Sequence, residues 1–284
     1  MKKREHRRQE PFRETDLALE RRRASGERRG ITYKEAAYGE IRFTALTVGK
    51  EAVASEMPCG RTLSVSFPTP FFFSEAEKEE TRNALRLALQ AFFPTPPSRL
   101  LVAGLGNRRL TADSLGPLTA ERVEVSAALP KALAECFGIE NETRVAVCVP
   151  DVFARTGIES VRSVEAAARL FEADALLAFD ALAARDKERL FRVVEFTDTG
   201  TVPGGGVKRG TLTLSQKTLG IPVVAVGVPT VVRADGAHFL VPSDMEECVE
   251  ALASLLAEAV NLHFGGALPV EGACLEELFG EETL

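Results

Sequence analysis

The chain has 284 residues, 45% of them apolar, with 41 acids against 35 lysines and arginines for a net charge of −6. That balance describes a globular protein able to build a full core, not a disordered chain, and no run of about 18 apolar residues offers a spanning helix. Five widely spaced cysteines, an odd number without a CxxC pair, exclude a disulfide framework or a zinc ribbon and fit a reducing, intracellular compartment. In chain order, residues 1–30 are rich in Arg and Lys, lack apolar periodicity and read as a flexible basic arm. No apolar stretch follows, as a secretory signal would require, and the acidic remainder argues against nucleic acid as a direct partner. Alternating pieces at Glu40–Val48 and Arg61–Phe67, bounded by Gly or Pro, predict half-buried strands. Ser74-Glu75-Ala76-Glu77 opens a helix that carries Leu85, Ala88, Leu89 and Phe92 on one face, until Pro94 and Pro96-Pro97 stop it.

Beyond those prolines the pattern alternates. Strands are predicted at 99–104, 144–149, 175–180, 192–197 and 223–228, and helices near 116–128, 130–137, 159–172 and 243–262. Such alternation predicts an α/β fold with a mostly parallel sheet covered by helices on both faces. After Gly265 a short helix and a frayed tail are expected. No internal repeat is present.

Two of the buried-strand patterns lead to an aspartate. Leu100-Leu101-Val102-Ala103 runs through Gly104-Leu105-Gly106-Asn107 to Asp113, and Ala175-Leu176-Leu177-Ala178-Phe179 stops at Asp180. The crevice beyond the carboxyl ends of the strands is where open α/β sheets place their chemistry. Two carboxylates facing each other there can run acid/base hydrolysis. A lone aspartate past a strand is more often a helix cap; two, each followed by small or apolar residues, favour the functional reading.

Other motifs carry less. Gly104-Leu105-Gly106 lacks the third small residue of a dinucleotide fingerprint, because Arg109 stands there. Pro203-Gly204-Gly205-Gly206-Val207-Lys208-Arg209 has no Gly-Lys-Ser/Thr at P-loop spacing and reads as a loop lining the crevice. Asp198-Thr199-Gly200 matches a tripeptide of all-β aspartic proteases, but in an α/β chain Asp198 is expected to cap or orient a loop. His6, His238 and His263 are far apart and read as surface or capping residues, so histidine-dependent nucleophilic schemes lose support.

The aspartate segments also carry a resemblance. Gly104-Leu105-Gly106-Asn107 with Thr111-Ala112-Asp113-Ser114-Leu115-Gly116-Pro117 resembles the signature of the germination protease (spore protease) family. It continues through Thr156-Gly157-Ile158-Glu159, Asp180-Ala181-Leu182-Ala183-Ala184-Arg185, Asp198-Thr199-Gly200, Leu219-Gly220-Ile221-Pro222 and Gly227-Val228-Pro229-Thr230-Val231-Val232. The resemblance implies an endopeptidase that degrades small acid-soluble spore proteins in germination, working in the cytoplasm of the spore core. It implies a three-layer α/β/α sandwich similar to hydrogenase-maturation proteases, with Asp113 and Asp180 as the catalytic pair. It further implies a self-processing zymogen and assembly into homotetramers. Arg13-Glu14-Thr15-Asp16-Leu17-Ala18 is similar to the family's Arg-Thr-Asp-Leu-Ala with one residue inserted. The cut is then expected between Asp16 and Leu17, leaving a propeptide of residues 1–16 and a protease domain of 17–284. That domain divides into an amino-terminal part (31–98), a catalytic core (99–240) and a carboxyl-terminal helix and tail (241–284).

Two adjacent carboxylates cannot both ionise cheaply, so the pair is expected to share a proton and activate water, with the acid and base roles open. Arg185, Gly204 and Gly205 are candidates to hold an acidic substrate side chain or the developing oxyanion, and Asp198 is a further candidate substrate-binding residue. Hydrogenase-maturation proteases use a metal with an additional histidine; none can be matched here, so no metal or cofactor is expected. The competing readings are a metal-dependent endopeptidase of that maturation type and a non-catalytic α/β binding module.

Overall fold

The structure is a computed structural model that describes residues 15–18, 20–21, 30–50, 52, 57–69, 74–128, 143–204, 212–233, 239–266, 270 and 275–279. Its amino-terminal third supplies an antiparallel meander of β1 (Ile31–Tyr38), β2 (Ile41–Val48) and β3 (Gly60–Ser66). Helix α1 (Glu75–Phe92) follows, and then β4 (Arg99–Gly104), the short helix α2 (Leu115–Arg122) and β5 (Arg144–Cys148). One-turn α3 (Phe153–Thr156) and α4 (Ser160–Phe171) lead into β6 (Ala175–Ala184) and β7 (Val193–Thr197). The chain continues through α5 (Gln216–Leu219), β8 (Val223–Arg233), β9 (Phe239–Leu240) and the long α6 (Met245–Phe264).

All nine strands join one sheet in the order β1-β2-β3-β7-β8-β6-β4-β5, with β9 added on β8. β5, β4, β6 and β8 run parallel to one another, as expected, while β1, β2, β3 and β7 add antiparallel pairs. The sheet is therefore mixed, and its parallel character is confined to the half that carries the two aspartates. The link from β6 to β7 spans only residues 185–192. A crossover that returns a strand parallel needs a dozen residues or more, so β7 has to turn back.

Strict alternation in β4 and β6 sorts side chains to two helical layers. Leu100, Val102, Leu177 and Phe179 pack with α1, α2 and α6 on one face. Leu101, Ala103, Leu176 and Ala178 pack with Val161, Val164 and Ala168 of α4 on the other. These make the three layers of an α/β/α sandwich. The helix predicted over 130–137 lies outside the described residues. The predicted termini elsewhere agree to within a residue or two, except that α2 stops at Arg122 rather than near 128, β6 runs on past Asp180 to Ala184 and β8 runs on to Arg233.

Helix α1 shows how local chemistry sets an element. Ser74 Oγ accepts the Glu77 N–H at 3.2 Å while the Glu77 carboxylate accepts the Ser74 N–H at 2.8 Å, a reciprocal capping box. The helix then buries Thr81, Ala84, Leu85, Ala88 and Phe92 against the sheet. Replacing Ser74 by Ala is expected to lower stability by about 1 kcal/mol in urea unfolding, without changing the slope of the transition.

Candidate active site

β4 delivers the chain to a tight turn at its carboxyl end. Gly106 has φ +115°, and a Cβ there would lie 2.1 Å from the carbonyl oxygen of Asp113. Only glycine lets the two backbones meet this closely. Residues Thr111–Asp113 form a 3₁₀ turn, and the Asn107 N–H donates to Asp113 Oδ2 at 2.8 Å. From β8, on the far side of β6, buried Thr230 donates its hydroxyl to the Ala112 carbonyl at 2.6 Å. Two separate stretches of the sequence thus hold one carboxylate in place.

Asp180 stands within β6, on the face shared with Leu176 and Ala178, and is 7% exposed. Its Oδ1 accepts the Ala181 N–H at 3.0 Å, and the Thr201 hydroxyl donates to Oδ2 at 3.4 Å. Burial, then the charge of Asp113, then that of Asp16 push its carboxyl up to about 8, well above the usual carboxylate range. Asp113 is also raised, chiefly by burial; the Asn107 N–H opposes this by favouring its ionised form, and Asp151 adds to the rise. The structure therefore brings Asp113, Asp180 and Asp16 into one electrostatic cluster. Asp151 adopts φ +60°, a rare conformation for a residue with a side chain. The Ser160 hydroxyl on its carbonyl at 2.7 Å holds it there, and Arg155 Nη1 sits 3.4 Å both from its carboxylate and from Asn107 Oδ1.

The expected processing stretch lies against the end of β6. The Asp16 N–H donates to the Ala183 carbonyl at 2.9 Å, and the Ala183 N–H returns to Asp16 Oδ2 at 2.9 Å. Leu17 is completely buried among Leu182, Ala184, Leu190 and Val232. The Leu17 N–H donates to Thr15 Oγ1, and the Arg21 N–H to the Leu17 carbonyl, so this stretch forms a capped helical turn. Downstream, the Glu20 carboxylate accepts the N–H groups of Arg185 at 2.9 Å and Asp186 at 3.1 Å, beside Arg189 Nε at 3.4 Å.

Of the remaining candidates, Arg185 meets an acidic side chain through its backbone N–H, and that acid is Glu20. Asp198 binds the Arg61 N–H at 2.6 Å and Arg61 Nε at 2.8 Å, away from the aspartate pair. It anchors the start of the loop that brings Thr201 to Asp180. Gly204 has φ +67° and nothing within 4 Å of the position a Cβ would take; Gly205 lies outside the described residues. His263 is half-buried against Phe264 in the last turn of α6, rather than at the surface, and His6 and His238 lie outside the described residues. Among the described residues no group of three or more His, Cys, Asp or Glu is placed to hold a metal ion. None of the described helices is long and apolar enough to cross a membrane.

The family model described as germination protease matches residues 12–239. The chain belongs to the germination protease family. Germination proteases of Clostridium perfringens strain SM101 are 33% identical over 230 residues, covering 78% of this chain and 70% of theirs. That of Bacillus subtilis strain 168 is 34% identical over 233 residues, covering 78% and 63%. Among solved structures, the NiFe hydrogenase maturation protease HycI from Thermococcus kodakarensis KOD1 is similar at 21% identity and a TM-score of 0.36, covering 61% of this chain and 99% of that one. Membership makes this germination protease an endopeptidase of spore germination.

Sequence reading passed over three residues at this site. Glu20 and Thr201 carry no signal of their own in a single sequence. Glu195 does: a carboxylate inside the apolar run Val193-Val194-Glu195-Phe196 is 5% exposed in β7, and a charge in a buried strand is rare without a partner that needs it.

Proposed function

We propose that this germination protease cuts small acid-soluble spore proteins with Asp113 and Asp180 acting on a single water. The observation that carries the reading is the carboxylate pair formed by Asp180 within β6 and Asp113 in the turn that follows the parallel neighbour β4, one member of it held protonated near neutral pH. Asp180, the more buried and the one pushed up to about 8, keeps its proton and serves as general acid. Asp113, whose anion the Asn107 N–H favours, serves as general base. Water attacks the peptide carbonyl as its proton passes to Asp113, while Asp180 gives its proton to the departing amine. A water proton transfer between the two then restores the starting state.

Self-processing between Asp16 and Leu17 belongs to the same reading. Its support is the position of Asp16, near enough to Asp180 for its charge to count, with the next residue buried in an apolar pocket. The active form is proposed as a homotetramer in the cytoplasm of the spore core.

The test is a digest of a purified small acid-soluble spore protein by this chain and by its Asp180→Asn form, read by mass spectrometry. Fragments ending in an acid and beginning with an apolar residue, produced by the unsubstituted form alone, are expected. Equal cutting by both forms would remove Asp180 from the mechanism. No cutting by either would overturn the substrate assignment.

A further inference from the structure

Glu195 is used by no step of the mechanism above. The sheet register sets it opposite Gly227 of β8, and sets Gly227 opposite Asp180 of β6. Directly paired residues point to the same face, so Glu195 and Asp180 stand in one row with a glycine between them. Leu182 fills the space over that glycine, where a Cβ would come within 2.3 Å of its Cδ1, and the same side chain packs on Leu17. The row continues outward through Ser64 and Thr44, both buried.

The oxygens of Glu195 are divided between sheet and peptide. Oε1 accepts the Ser64 hydroxyl at 2.9 Å, and Oε2 accepts the backbone N–H of Ala18 at 2.9 Å. The segment is therefore gripped at three successive residues: Asp16 by the backbone of Ala183, Leu17 by an apolar pocket, and Ala18 by a carboxylate fixed in a central strand. The first grip uses the segment's own carboxylate, that of Asp16; only the third uses an ionisable side chain of the sheet, and it reads backbone rather than sequence. A charged acceptor makes a stronger hydrogen bond than a neutral one.

We propose that Glu195 is a positioning residue of the peptide-binding site. Its Oε2 accepts the N–H two residues beyond the scissile acid, in the chain's own segment and in a peptide supplied in trans, and so sets the register in which the bond meets Asp113 and Asp180. The proposal rests on the proteolytic reading for its trans half; its cis half stands on the docked segment alone.

The two halves are tested separately on the full chain. Hydrogen exchange by mass spectrometry follows residues 15–21 in the unsubstituted protein, in Glu195→Met and in Glu195→Gln. The Met form is expected to exchange this segment at least about tenfold faster. The Gln form, whose amide oxygen still accepts an N–H, should stay within about threefold, and α1 and α6 should be unaffected in both. In trans, a fluorescent peptide copying residues 12–22 is compared with one carrying an ester in place of the Ala18 amide. The docked segment competes equally with both peptides, so the ratio of their affinities reports the N–H alone. The unsubstituted protein should bind the ester peptide about tenfold more weakly, with kcat for any cleavage nearly unchanged, and Glu195→Met should not distinguish the two. Unchanged exchange in the Met form, or a Met form that still prefers the amide, overturns the proposal. Binding that behaves as expected without cleavage by any form instead overturns the proteolytic reading and leaves the positioning role standing.

Discussion

Between pH 4 and pH 8 the unsubstituted protein is expected to lose stability steadily, and Asp180→Asn is expected to lose much less. In the unfolded chain Asp180 ionises near 3.8; in the folded protein its carboxyl is pushed up to about 8 by burial, by Asp113 and by Asp16. Across that window the folded state binds the extra proton, so stability is fully present below the unfolded value and falls as pH rises through the folded one. Asparagine is neutral throughout and removes this contribution, leaving the part of the slope that raised Asp113 supplies. Thermal unfolding at pH 5 and pH 8 should therefore give two lines that cross or diverge, with the substituted protein ahead by roughly 5 °C or more at pH 8. Parallel lines would show that Asp180 is not the protonated member of the pair. Proteolysis should respond in the opposite sense, falling by about a thousandfold when this acid is removed, so a single substitution is expected to stabilise the protein and silence it.

Gly116→Ala is expected both to destabilise the protein and to slow cleavage. A Cβ at this position would stand 2.3 Å from the Leu105 carbonyl oxygen, 2.5 Å from that of Phe179 and 2.8 Å from the Leu105 nitrogen. All three are backbone atoms of the strand ends that carry the aspartates, and the Leu105 N–H to Phe179 carbonyl bond at 2.8 Å links those ends. Helix α2 can make room only by lifting from the sheet, which uncovers Leu115 and Leu118. Overpacking of this kind costs about 1–3 kcal/mol or more, and an ångström of displacement between the carboxylates is enough to cost about a hundredfold in rate. Denaturant unfolding and peptide cleavage measured on the same preparation check both. A fully active Gly116→Ala protein would mean that α2 moves without disturbing Asp113.

The parallel half of the sheet was legible because three of its four strands, β4, β6 and β8, are buried on both faces. Leu100-Leu101-Val102-Ala103 and Ala175-Leu176-Leu177-Ala178-Phe179 can be little else, and a turn rich in glycine after the first marks where the chain leaves the sheet. The course of β7 was not legible. Its residues read as a strand, but its direction follows from the length of the link before it, and its place beside β3 from pairings more than 130 residues apart in sequence, such as Ser64 with Glu195. Asp113 and Asp180 were found because each ends a recognisable strand pattern. The partners that give them unequal character were not. Thr201 reaches Asp180 through a loop that Asp198 anchors on Arg61, and Thr230 reaches the Asp113 turn across the sheet. Those contacts join blocks that a linear reading can place in order but cannot fold together.

The Glu20 carboxylate, held by two backbone N–H groups and beside Arg189, lies carboxyl-terminal to the Asp16–Leu17 bond. A break in that bond would separate residues 1–16 yet leave Leu17 in its pocket and Glu20 in its own downstream clamp. The retained piece is then a tethered ligand, present at its cradle at an effective concentration of about a millimolar, as for short linkers. Any peptide arriving from solution has to displace it. The affinity of this protein for such a peptide is therefore a difference between two occupants, and weakening the Glu20 clamp tightens the apparent binding of the incoming one without altering a single atom that touches it.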